Sequence, residues 1–399
     1  MKEFKKDFPV YENHPSLCYL DNAASSLKPN TVIEKLNFYY KNLGVNVHRG
    51  VYSLSYLATD LYEEARNIVA DFINASFEEV VFTRGCSSAL NLVAASYAIN
   101  NLKPNDEVII SELEHHSNFI PWINVCKKCG AVIKYIPLTK EGRITVDNFK
   151  TVLSEKTKIV AINHVSNVMG YISPVEEITR LAHSYNAIVV IDGAQAAPHM
   201  EVDVKAIDCD FYAFSGHKMC GPTGIGVLYG KKSLLDEMEP IEFGGDMADE
   251  VFLDHATYKD APYKFETGTP IIAEAIGLGE ACLYLKKVGF NLISKEEKRL
   301  RELAFNKLKD ISGIEIYNPN CETGIITFNV SGVHPHDVAS VFDKNNVCIR
   351  AGHHCAQPIT KFLGQISTVR ASFYFYNDEE DVEKFVESVK EAIDFFGQF

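Results

Sequence analysis

Cys209-Asp210-Phe211-Tyr212-Ala213-Phe214-Ser215-Gly216-His217-Lys218 decides how the chain is read. Aromatic and small apolar residues run from Phe211 to Phe214 and stop at Ser215-Gly216, the pattern of a strand ending in a turn. Lys218 is therefore expected at a strand's carboxyl end. Upstream, Ala187-Ile188-Val189-Val190-Ile191 is unbroken apolar, as in a strand buried on both faces, and it stops on Asp192 with Gln195 close behind. In open α/β sheets, ligands bind outside the carboxyl ends of strands.

A carboxylate and an amine at neighbouring strand ends meet the needs of pyridoxal 5'-phosphate. The lysine forms a Schiff base with it, and the carboxylate keeps the pyridine nitrogen protonated so that the ring accepts electrons. Singly the two residues say little, because most lysines are solvated and an aspartate after a strand commonly caps a helix or binds a metal. Their order and setting make the pair informative.

The rest of the first two-thirds supports a layered α/β fold. Leu61, Ala65, Ile68, Val69, Phe72 and Ile73 recur at helical spacing. Val80–Thr83 reads as a strand, Arg84-Gly85-Cys86-Ser87-Ser88 as a turn and Ala89–Ala98 as a helix. Small polar residues at such a turn offer backbone N–H groups and a helix dipole to a phosphate. Strands are expected at Glu107–Ile110, Val132–Ile136 and Ile159–Val165, the last followed by Ser166-Asn167, with a helix carrying Val175, Ile178, Leu181, Ala182 and Tyr185. The alternation predicts a mostly parallel sheet covered on both sides. His115, in Glu114-His115-His116-Ser117-Asn118, is a candidate to stack on a flat ring and move protons near neutral pH. Helical periodicity resumes through Ala273–Val288, and from about residue 281 onward the texture changes to charged helices and shorter strands. The expected division is an arm over 1–15 packing with the small domain, a large cofactor-binding domain over 16–280 and a small α+β domain over 281–399.

Composition restricts the partners. With 399 residues, 46% apolar and 23% charged, the chain has the make-up of a globular protein large enough for two domains. A net charge of −14 argues against general binding to nucleic acid or anionic membranes. The first seven residues hold no apolar core of signal-peptide length, and ten cysteines in so long a chain suit a reducing compartment, so a cytoplasmic location is expected. Cys126-Lys127-Lys128-Cys129 has no second pair to complete a zinc site, and no metal is expected.

In the small domain, Val347-Cys348-Ile349 feeds Arg350-Ala351-Gly352-His353-His354-Cys355, an electropositive loop that favours a thiolate. Arg370 suits two-pronged capture of a carboxylate.

Together these motifs resemble the cysteine desulfurases of the class V aminotransferase family, in the group with the sulfur-mobilisation (SUF-type) enzymes and selenocysteine lyase-like proteins. The resemblance rests on Tyr19-Leu20-Asp21-Asn22-Ala23-Ala24, Glu114-His115-His116, Asp192-Gly193-Ala194-Gln195, Ser215-Gly216-His217-Lys218 with Gly221-Pro222-Thr223-Gly224, and Arg350-Ala351-Gly352-His353-His354-Cys355. It implies fold type I of the pyridoxal-phosphate transferases, with a seven-stranded type of sheet. By resemblance, Lys218 holds the cofactor and moves the Cα proton, Asp192 pairs with the pyridine nitrogen, Gln195 bonds the phenolic oxygen and His115 stacks on the ring. Ser87, Cys86, Ser215 and His217 would lie at the phosphate, with Thr269 reaching in from the other subunit of a homodimer. Asn167 and Arg370 would orient the carboxylate of L-cysteine, and Arg350 would stand at the entrance beside Cys355. The products would be L-alanine and a persulfide on Cys355, handed to a SUF-type sulfur acceptor for iron–sulfur cluster assembly. The short Gly352–Cys355 loop favours this group over relatives with a longer, Ser-rich mobile loop.

Two positions depart from the family. Cys86 and Ser87 stand where threonines are usual, and a thiol is the poorer donor. Tyr52 follows His48-Arg49-Gly50 where relatives often carry a histidine. Selenocysteine lyase, cysteine sulfinate desulfinase and other class V aminotransferases or lyases share the scaffold, although neither transamination nor kynureninase-type cleavage needs a thiol at Cys355. A metal-dependent hydrolase using His115, His116, Asp192, His217 and His353 lacks a short helical ligand pair, and a non-catalytic scaffold leaves Lys218, Asp192 and Cys355 without purpose.

Overall fold

A computed structural model describes residues 2–397; Met1, Gln398 and Phe399, at the ends of the expected arm and small domain, lie outside the described residues. The centre is a seven-stranded sheet in the order Val80–Thr83, Gly226–Gly230, Phe211–Ser215, Ile188–Asp192, Thr157–Asn163, Glu107–Ser111, Val132–Ile136. Only Gly226–Gly230 runs against its neighbours. The expected mostly parallel sheet is what forms.

Alternation along each strand builds two cores. Ile109, Val160, Ile162, Val189, Ile191, Tyr212 and Phe214 point to one face, where the helices Ser53–Phe72, Val175–His183 and Ile272–Val288 lie. Val108, Ile110, Ile159, Ala161, Val190, Phe211 and Ala213 point to the other, against Leu90, Trp122 and Val125. Side chains alternate with a period of two, so strands covered on both sides must be apolar throughout. The expected strand Ile159–Val165 stops at Asn163. Beyond it the chain leaves the sheet, and Val165 makes only an isolated bridge to Ile172. The helix expected from Ala89 begins earlier, at Cys86, and continues through a wider-turned stretch, Val93–Ala98.

A third core belongs to a smaller, four-stranded antiparallel sheet in the order Ile314–Ile316, Ile325–Val330, Thr368–Ser372, Arg350–Gly352. Leu300, Phe342 and Phe385 pack on it from the helices Phe290–Leu308, Pro335–Lys344 and Glu379–Phe396. Cys18 and Leu20 are buried in this same core, and Cys18–Tyr19 pairs with Val347–Cys348. The amino-terminal arm reaches both parts: Phe8 lies against Tyr376 in the first core, with ring centroids 4.4 Å apart, and Lys5 Nζ is 2.9 Å from both Asp378 and Asp381 at the start of the helix Glu379–Phe396.

One close approach sets the geometry of the sheet's carboxyl edge. A Cβ on Gly226 would lie 2.4 Å from Gly85 Cα and 2.7 Å from the Phe214 carbonyl. The turn before the Cys86 helix is thus pressed against the strand Gly226–Gly230, which pairs with the strand that leads to Lys218. Gly226→Ala is expected to cost about 2 kcal/mol through overpacking, read as a lowered melting temperature, whereas Gly224→Ala, which meets nothing within 4 Å, costs only the strain of its left-handed backbone.

Candidate active site

Four strand ends and one helix start converge on a cavity of about 230 Å³. Its wall holds Lys218, His217 and Ser215 from the first strand end, and Asp192 and Gln195 from the second. Asn163 and Asn167 follow the third, His115 and Ser117 the fourth, and Cys86 and Ser87 open the helix. Arg350 and Arg370 enter from the smaller sheet.

Burial lowers the Lys218 pKa; Arg370 and Arg350 push the same way and Asp192 opposes them. A larger share of neutral amine at a given pH makes it the better nucleophile. Asp192 is 5% exposed. Its Oδ1 accepts from the Ala194 N–H at 3.0 Å and lies 3.3 Å from Cys86 Sγ. Gln195 Nε2 donates to the Ala23 carbonyl at 2.6 Å, leaving Oε1 buried without a partner.

His115 is held as a neutral ring. Burial first, then Lys218, His116, Arg350 and Arg370, brings its pKa down to about 3. The Ser117 N–H donates to Nδ1 at 3.1 Å, which assigns the ring proton to Nε2. Ser117 Oγ lies 3.0 Å from Nδ1 and 2.6 Å from Ser87 Oγ, so one serine connects the histidine to the helix start. At that start the Cys86 N–H donates to Ser215 Oγ at 2.8 Å. His217 is lowered to about 4 by burial, Lys218 and Lys28. Its carbonyl accepts from Lys28 Nζ at 3.0 Å and from the Ser26 N–H at 3.0 Å.

Arg370 is wholly buried on its strand. Nη1 donates to the Asn167 carbonyl at 2.8 Å and Nη2 to Asp21 Oδ1 at 3.0 Å, while Nε has no partner. Asn167 Nδ2 donates to the His354 carbonyl at 2.8 Å and so ties down the loop that bears Cys355. His354 and Cys355 both take left-handed backbone, at φ of 53° and 55°. The Cys355 carbonyl accepts from the His116 N–H at 2.7 Å, and Arg350 Nη2 stands 3.4 Å from Cys355 Sγ. Arg350 therefore spans from the cavity wall to the thiol.

Thr269 lies elsewhere within the chain. It lines a separate depression of about 500 Å³ with Ser88, Gly224 and Glu266. Glu266 fixes that loop through a two-pronged bond to buried Arg66, at 2.6 and 2.7 Å. Among the described residues no cluster of three or more metal-type ligands occurs, and Cys126 and Cys129 are free thiols. Sequence reasoning passed over Ser117, Asn163, Asp21 and Lys28. Ser117 carried a signal, as it directly follows the two histidines; the others depend on partners distant in sequence.

Residues 18–385 match the aminotransferase class-V family, and the chain belongs to it. It is 53% identical over 99% of its length to a "Probable cysteine desulfurase" of Halalkalibacterium halodurans, covering 98% of that protein. The identity to one of Staphylococcus epidermidis is 52%, over 99% of this chain and 97% of that one. Among solved structures, the cysteine desulfurase CsdA of Escherichia coli superposes with a TM-score of 0.93 at 38% identity, covering 98% of each chain. The apo cysteine desulfurase of Thermococcus onnurineus superposes with a TM-score of 0.94 at 41% identity, again over 98% of each.

The depressed histidine gives a prediction about acid stability. In the unfolded chain an imidazole binds its proton near pH 6.5, whereas folded His115 waits until about pH 3. Between those values the unfolded state holds more protons, so the contribution of His115 is present above pH 6.5 and is lost as the pH falls. In cofactor-free protein, His115→Gln is expected to flatten the loss of stability from pH 6.5 to 4, measured by denaturant titration at each pH.

Proposed function

We propose that this chain is a cysteine desulfurase that holds pyridoxal 5'-phosphate in the 230 Å³ cavity and collects the substrate's sulfur on Cys355. The observation that carries the reading is Arg350, which lines the same cavity as Lys218 and reaches within 3.4 Å of the Cys355 sulfur. The donor set fits the cofactor: an amine with a lowered pKa, a carboxylate on the same wall, and a buried amide oxygen with no partner of its own. When bound, the cofactor supplies an electron sink that loosens bonds at the substrate's Cα and Cβ.

The chain's residues do the rest. Lys218 would hold the cofactor and, as a free amine, would carry the proton from the substrate's Cα. Asp192 would pair with the ring nitrogen and Gln195 with the phenolic oxygen. His115, neutral and protonated at Nε2, would stack on the ring and assist proton movement. Ser87, Ser215 and His217, with the backbone at Cys86, would hold the phosphate, and Arg370 with Asn167 would orient the substrate carboxylate. Cys355 attacks the substrate sulfur as a thiolate, so the S–S bond forms as the Cβ–S bond breaks. The electron pair released ends in a new Cβ–H bond, giving alanine and a persulfide. Neighbouring Arg350 favours the anionic sulfur.

The persulfide passes to a thiol of a SUF-type acceptor protein, feeding iron–sulfur cluster assembly in the cytoplasm. We place two copies in a homodimer: Thr269 lies outside the cavity of its own chain, and the role the resemblance gives it at the phosphate requires a subunit boundary. We place the large domain at 16–280 and the small domain at 281–399, with Cys18 and Leu20 packed into the core of the small one and Arg350 and Arg370 bringing the small domain to the cavity wall. The alternative substrate for the same site is selenocysteine, with selenium in the place of sulfur.

Cofactor-loaded protein given L-cysteine is expected to yield alanine and a persulfide on the enzyme. Cys355→Ala is expected to lose the persulfide and at least a hundredfold in alanine formation, on the scale of losing a catalytic nucleophile. Alanine formation undiminished in Cys355→Ala, or no alanine from the wild type, would contradict the reading.

A further inference from the structure

Cys86 departs from the family's usual threonine, and its backbone and side chain bond different partners. The N–H donates to Ser215 Oγ and so serves the turn beside the phosphate region. The thiol instead lies 3.3 Å from Asp192 Oδ1. That oxygen also accepts the Ala194 N–H at 3.0 Å, whereas Oδ2 has no donor among the described residues. One carboxylate oxygen is held twice, and the other is left for the cavity.

We propose that Cys86 is a positioning residue for Asp192, its S–H holding Oδ1 so that Oδ2 is presented to the ring nitrogen of the bound cofactor. The proposal rests on the reading of the cavity given above and adds a role that a phosphate-contacting side chain would not have. Burial and the charge of Asp192 together push the thiol pKa up, so it keeps its proton and stays a donor. A thiol is a weaker donor than a hydroxyl. It leaves the carboxylate more basic than a serine at this position would, which strengthens the hold on the ring's proton.

The competing account is space-filling. Cys86 belongs to an apolar cluster with Val81, Ala89 and Leu90, and a buried cysteine commonly does no more than pack. Alanine and serine separate the two accounts, because both remove the sulfur's bulk and only serine restores a donor. Neither disturbs the backbone bond to Ser215.

The test uses cofactor-loaded wild type, Cys86→Ala, Cys86→Ser and Asp192→Asn. The pH midpoint of the bound cofactor's visible band is measured, together with the rate at which cofactor leaves the protein. Cys86→Ala is expected to raise the midpoint and to speed release about fivefold, the scale of one modest hydrogen bond. Cys86→Ser, which restores a donor to Oδ1, is expected to match the wild type in both readouts. Equal behaviour of the alanine and serine variants, or a wild-type midpoint and release in Cys86→Ala, would overturn the proposal. If Asp192→Asn shifts both readouts while Cys86→Ala shifts neither, the role of Cys86 alone fails. If Asp192→Asn shifts neither, the pairing of Asp192 with the cofactor fails as well.

Discussion

Lys218, Arg350 and Arg370 are gathered around one cavity whose wall offers a single carboxylate, Asp192. Buried like charges raise each other's cost of ionisation, and unpaired buried charge is expensive. The protein offsets part of that cost at Arg370 with Asp21 and the Asn167 carbonyl. What remains is a field that adds to burial, the larger cause, in lowering the pKa of Lys218 and of His115. The same field attracts anions. A phosphate, a substrate carboxylate and a thiolate are all suited to it, which is why one electrostatic condition serves cofactor, substrate and nucleophile.

The fold maintains this crowding by joining two sheets at the cavity. Arg370 sits on the smaller sheet, and its hydrogen bonds reach Asn167, beyond the end of a large-sheet strand, and Asp21, whose neighbour Leu20 is buried in the small core. Asn167 in turn holds the His354 carbonyl. Substrate-binding groups and the thiol loop therefore share one set of bonds, and a carboxylate arriving at Arg370 acts on the same network that seats Cys355.

Much of this was readable from the chain. Apolar runs that end on Asp192 and on Ser215-Gly216 fix where two strands stop, and strand ends in such sheets define one edge. The position of Lys218 follows from periodicity and turn chemistry alone. The seat of Cys86 did not, since a short side chain at a helix start can face the phosphate region or the neighbouring strand, and the packing of Gly226 on Gly85 chooses. Asp21 on Arg370 was hidden for a related reason, because it joins residues 349 apart in sequence. Val165 was assigned to a strand by its apolarity, yet it is buried beyond the sheet's end, where burial and strand pairing part company.

The central claim is that burial among these charges singles out Lys218 as the amine that takes the cofactor. Lys28 is the informative competitor, since burial lowers its pKa as well, to about 8, and it lies within hydrogen-bond reach of the His217 carbonyl. The direct measurement is to load the protein with pyridoxal 5'-phosphate, reduce it with borohydride and map the labelled peptide by mass spectrometry. The account predicts the label on Lys218, with none retained in Lys218→Ala. A label on Lys28, or one that survives in Lys218→Ala at wild-type yield, would contradict it.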